Sequence, residues 1–92
     1  VSHILDLAQA AIKFAQAANN TTQHRKRLDS AYFDWRKDSG NLGTHIVRND
    51  PDWLLMMQAT ANQYRQLRNA KSREYRAKAK LLALVDALDI AQ

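Results

Sequence analysis

The chain has no cysteine, one proline and two glycines in 92 residues. Without cysteine there are no disulfides and no thiol chemistry. With so little glycine and proline, long stretches run with nothing to interrupt a helix. His3, His24 and His45 stand far apart, and no H-x-x-x-H or H-E-x-x-H spacing occurs. Gly40 and Gly43 alone make no phosphate loop. Asp34 and Asp38 share a helical face, but two aspartates at an exposed tip read as solvent contacts. No apolar run approaches the ~18 residues of a membrane span. These gaps point away from catalysis, a metal centre or a cofactor, and toward binding.

What is present is helix. Residues 51–90 open with the only proline, which suits a first helical turn, and continue without glycine. Asp50 precedes it as a candidate N-cap, and Asp52 adds charge favourable to the helix dipole. The interior is Ala, Leu, Met, Gln, Arg and Lys. A continuous helix there would be about 60 Å long at ~1.5 Å per residue. Residues 3–18 carry one narrow polar stripe, Ser2, Asp6, Gln9, Lys13, Gln16 and Asn20, on an otherwise apolar cylinder. So wide an apolar face expects more than one neighbour. Leu7, Ala11, Phe14, Ala18, Thr21, Arg25, Leu28, Tyr32 and Trp35 follow a 4-3-4-3 spacing, which favours one arm over 3–38 with a weak spot or kink at 19–22. A second helix capped by Asn20 and Gln23 is the alternative. Residues 39–50 hold both glycines and form the loop, with Leu42, Ile46 and Val47 expected to tuck against Trp35 and Trp53.

In the second arm, Trp53, Met57, Thr60, Tyr64 and Leu67 share a face. Keeping Tyr75, Ala79 and Leu82 inward with them requires a stutter near 68–72, or a break with Ser72 as cap. The expected fold is all-α: one domain over 1–92, an antiparallel hairpin with residue i near residue 90 − i, dimerising into a four-helix arrangement through the apolar face of 4–18. Ile4, Leu7 and Phe14 are the candidate dimer contacts, and Trp35 and Trp53 plug the tip or anchor a protein partner. Asp6, Asp86 and Asp89 would gather at the open end.

The net charge is +5, and the cations cluster. Arg65, Arg68, Arg73, Arg76 and Lys80 form a basic belt, with Arg25 and Arg27 beside it in the folded hairpin. On a helical wheel Arg65, Arg73, Arg76 and Lys80 fall opposite the Trp53–Tyr64–Leu82 stripe. Cations on one face spaced along a rod suit a DNA or RNA backbone, and Tyr64 or Tyr75 could stack on a base. The alternative is a solvated face.

Asp50-Pro51, Leu54, Gln58, Tyr64, Arg68-Asn69-Ala70 and Ser72 resemble the second helix of type III secretion needle subunits, without gaps over 50–72. The resemblance implies a small helical hairpin that packs side by side into a filament, in a secreted or cell-surface setting. Beyond Ser72 the family continues in an apolar segment, whereas residues 73–80 here carry four cations, Arg73, Arg76, Lys78 and Lys80. The leading expectation is therefore a non-catalytic, cytoplasmic binding protein contacting nucleic-acid phosphates, as an accessory protein or small subunit of a nucleoprotein complex. Self-assembly, or inhibition by docking on an acidic protein surface, stands as the alternative.

Overall fold

The computed structural model describes the backbone of residues 2–91 and the side chains of residues 3–88. Ser2 of the polar stripe and Asp89 of the acidic end lie outside the described side chains. The protein is all-α, with α1 (Ser2–Asp38), α2 (Pro51–Ala59) and α3 (Ala61–Ala91) among the described residues. They form a rod of 60 × 19 × 19 Å.

α1 runs unbroken through 19–22, where a weak spot was expected. Thr21 and Thr22 turn their hydroxyls onto the carbonyls of Ala17 (3.1 Å) and Ala18 (3.2 Å), so their polar groups are satisfied inside the helix. α1 ends in a Schellman motif. Gly40 takes φ +76°, the Asn41 N–H donates to the Arg36 carbonyl at 2.7 Å, and the Gly40 N–H donates to that of Lys37 at 3.3 Å. The Arg36 guanidinium then donates to the Thr44 carbonyl at 3.1 Å and ties the loop to the helix.

The loop closes with a turn over Val47–Asp50. The Asp50 N–H donates to the Val47 carbonyl at 3.1 Å, and Asn49 has φ +72°, as the third residue of a type II turn requires. Asp50 is the N-cap of α2 by position, but its side chain makes no capping hydrogen bond. Only its carbonyl engages, accepting from the Leu54 N–H at 3.0 Å. Leu42 and Val47 are exposed rather than tucked in, and Ile46 is half-buried. The Arg36–Thr44 bond and the two turns hold the loop through its backbone rather than through those side chains.

The second arm is two helices rather than one. It breaks at Thr60, whose φ of −108° and ψ of 13° lie outside the helical range. Thr60 is 2% exposed, and its hydroxyl donates to the Met56 carbonyl at 2.7 Å. Such a back-bond at i−4 bends helices. The Tyr64 N–H still reaches the Thr60 carbonyl at 3.0 Å, so the break is a kink.

α1 packs along α3, and α2 touches both. One line of buried and half-buried positions runs Leu7, Ala10, Phe14, Ala17, Thr21, His24, Leu28, Ala31 and Trp35 on α1, with Ala18, Tyr32 and Arg36 half-buried beside it. On α2 and α3 a second line runs Met56, Thr60, Gln63, Leu67, Ala70, Glu74, Ala77, Leu81, Leu84 and Leu88, with Trp53, Met57 and Val85 half-buried beside it. Steps of three and four alternate through both sets, a ~3.5-residue repeat. There is no stutter near 68–72 and no cap at Ser72, since α3 is continuous there. Ala11 and Arg25, expected inward, are exposed, and Ala10 and His24 take their places. Tyr64, Tyr75, Ala79 and Leu82 are likewise exposed, Tyr75 at 74%. The seam mixes small and large residues: Ala10, Ala70, Leu28, Met56 and Leu67 are buried, and Ala17 and Ala77 are half-buried.

Candidate nucleic-acid interface

Arg25, Arg27, Arg65, Arg68, Arg73, Arg76 and Lys80 are all exposed. Three concavities divide several of them. Arg65 and Arg68 join Arg48, Trp53, Met57 and Tyr64 around a groove of about 610 Å³. Arg27 borders a second of about 450 Å³ with Lys26, Asp34, Asn62 and Gln66. Lys80 borders a third of about 250 Å³ with Asp6, Gln9 and Lys13. Arg73 and Arg76 stand on α3 between Arg68 and Lys80 in sequence, open to solvent.

The first groove corrects the helical-wheel reading. Trp53 and Tyr64 were expected inside, opposite the cations, and they line the same concavity as Arg65 and Arg68. The kink at Thr60 lies between Met57 and Tyr64, so the outer faces of α2 and α3 become two walls of one hollow. Arg48 enters from the second position of the Val47–Asp50 turn. Sequence reasoning did not single it out. Its place three residues ahead of Pro51, in the turn that starts α2, is the signal that could have found it.

The grooves differ in charge. Asp34 stands in the Arg27 groove and Asp6 in the Lys80 groove, whereas no carboxylate lines the Arg48 groove. Its guanidiniums are permanently charged and can meet a phosphate with two parallel hydrogen bonds. Beside Tyr64, burial holds the Tyr32 phenol above its ordinary pKa. Tyr64 and Asp29 add to that shift, and a hydrogen bond with Thr60 works against it.

The candidate protein contacts also separate. Trp35 is half-buried in the α1 seam, while Trp53 belongs to the groove. Leu7 and Phe14 are half-buried in that same seam, so they are only partly free for a partner. Ile4 is 64% exposed, and Leu5 and Ile12 are exposed with it. Among the described residues no group of three or more His, Asp or Glu is placed to hold a metal ion. No helix among them is long and apolar enough to cross a membrane. No protein-family model, curated protein or solved structure matches the chain.

Proposed function

We propose that the chain is a non-catalytic helical binding protein of the cytoplasm, an antiparallel hairpin that pairs with a second copy and contacts nucleic-acid phosphates through its exposed cations. The observation that carries the nucleic-acid reading is the meeting of Arg48, Arg65 and Arg68 at one concavity without a carboxylate in its walls. Like charges gathered this way repel one another, and an anion relieves the repulsion. Arg73 and Arg76 extend the positive surface along α3. Phosphate contacts position a protein without reading sequence, which suits an accessory protein or small subunit of a nucleoprotein complex. Support for the hairpin comes from the grooves: Ala10 shares one with Lys80 and Leu84, and Ala31 shares another with Gln63.

The test is fluorescence-anisotropy binding to short labelled oligonucleotides across a salt series. Affinity should fall steeply with salt as several phosphates are neutralised. Replacing Arg65 and Arg68 together by Glu, and in a second variant Arg73 and Arg76, should abolish binding in each case while leaving helical content unchanged. Binding that survives either double change sinks the assignment.

A second reading is self-assembly of the kind the needle resemblance implies. Tyr64 and Leu82 favour it, being 52% and 51% exposed on the outside of the rod, where side-by-side packing needs apolar surface. It expects concentration-dependent filaments that are lost when Tyr64, Asn69 or Leu82 is changed. A protein that stays dimeric at high concentration speaks against it. Docking on an acidic protein would use the same cations, and would appear as binding to a polyanionic protein with none to oligonucleotides.

A further inference from the structure

We propose that the groove formed by the Val47–Asp50 turn, α2 and the start of α3 takes an unpaired base of single-stranded nucleic acid, with the flanking phosphates held by Arg48, Arg65 and Arg68. This rests on the phosphate-binding reading and adds the form of nucleic acid bound. The first argument is the position of the aromatic rings. Trp53 is half-buried and Tyr64 is 52% exposed, and both line the groove outside the seam between α1 and α3. A ring presented this way can stack only on a base whose face is free. In a duplex the base faces are covered by their neighbours, so a duplex could engage the arginines and leave Trp53 and Tyr64 idle.

The second argument is size. A hollow of about 610 Å³ lies within the ~300–1,000 Å³ of small-ligand sites, room for a nucleotide rather than a double helix. The third is the direction of the charges. Arg48 approaches from the turn, and Arg65 and Arg68 stand three residues apart on α3, so guanidiniums reach the hollow from two sides. Planar guanidiniums bind phosphate oxygens in pairs and also stack on rings. Met57 supplies an apolar, polarizable wall. From Arg65 the exposed cations continue to Arg76, about 17 Å along the helix at ~1.5 Å per residue, a path for the rest of the strand.

The experiment compares a short labelled oligothymidylate with a duplex of equal length, by anisotropy on the wild-type chain. In parallel, tryptophan fluorescence is read in a Trp35→Phe variant, where Trp53 is the sole indole. The single strand should bind more tightly and quench Trp53. Tyr64→Ala should weaken the single strand about 10-fold or more, the effect of losing one stacked base, while Tyr64→Phe and duplex binding hold. Arg48→Ala should weaken both forms and reduce the salt slope by about one. Tyr64 is exposed, so the alanine variant should fold, which circular dichroism checks. Equal binding of both forms with no response to Tyr64→Ala overturns the base site and leaves the phosphate reading standing. Absence of binding by either form at low salt ends both. Quenching of Trp53 by an acidic peptide but not by the oligonucleotide makes the groove a protein-docking surface and overturns the proposal.

Discussion

Gly40 and Gly43 look alike in the sequence and differ in what the backbone asks of them. Gly40 holds φ +76° at the end of α1, and an alanine there would meet nothing within 4 Å yet would sit in the left-handed region. Gly40→Ala should therefore cost about 1–2 kcal/mol, read by urea denaturation. Gly43 carries no such angle, and an added Cβ there also meets nothing within 4 Å. Gly43→Ala should be neutral or stabilise by up to about 1 kcal/mol, because it restricts the unfolded chain. Tyr32 gives the pH dependence. Its phenol is held above its ordinary pKa by burial first, so the folded state prefers the protonated ring. The stability this represents is fully present below the unfolded value of ~10 and is lost as pH rises through the higher folded value. Stability of the wild type should fall above about pH 10, and Tyr32→Phe should flatten that fall. Equal slopes for the two proteins above pH 10 would remove Tyr32 from the account.

The helices turn on a seam that mixes small, polar and large residues, and two leucine substitutions on it should have opposite signs. Gln63 lies in the seam with its Oε1 buried and unpartnered. Gln63→Leu removes that unmet acceptor and adds apolar burial, and should raise stability by about 1–3 kcal/mol. Ala70 is 1% exposed on α3, which packs along α1. Ala70→Leu should lower stability by about 1–3 kcal/mol by forcing them apart. Thermal melts of both variants check the pair. The same seam marks what the sequence made legible. Helix bounds at 38 and 51 followed from glycine, proline and turn formers, which act locally. One half of the α1 seam, Leu7, Phe14, Thr21, Leu28 and Trp35, followed from the heptad spacing. Of the other half, Ala18 and Tyr32 share burial with Ala17 and Ala31, and Ala11 and Arg25 give way to Ala10 and His24, because the spacing fixes the period and not which of two adjacent residues centres the seam. The kink at Thr60 was hidden because threonine inside an apolar run carries no break signal until its hydroxyl is seen on the Met56 carbonyl. Arg65 and Arg68 were legible as cations. Their groove was not, since it depends on that kink and on Arg48 arriving from the turn.

The whole molecule exposes more surface than its mass requires. The accessible area is 6934 Å², against about 5,400 Å² for a compact monomer of 10.5 kDa. Its Cα radius of gyration is 19.2 Å, against about 12 Å for a compact chain of this length. The buried apolar residues are Ala10, Leu28, Met56, Leu67 and Ala70, a thin interior for a rod 60 Å long. Meanwhile Ile4, Leu5 and Ile12 stand exposed on the first turns of α1, interspersed with the exposed Ala8, Ala11 and Ala15. Such a face, beside so thin a core, is stabilised by covering it with another like it. Light scattering should accordingly give twice the 10.5 kDa of one chain. Small-angle scattering distinguishes the geometry, because side-by-side pairing doubles the mass while keeping the long dimension near that of one rod, and end-to-end pairing doubles the length. Replacing Ile4 and Ile12 together by Glu should return a monomer whose melting temperature is lower and rises no further with concentration, since mass action no longer stabilises it. These residues lie far from Arg48, Arg65 and Arg68 along α1 and α3, so the monomer should keep its base-stacking response while losing avidity for longer strands. A wild-type chain that is monomeric at every concentration, with a melting point the double substitution leaves unchanged, would mean that the rod stands alone on its alanine seam.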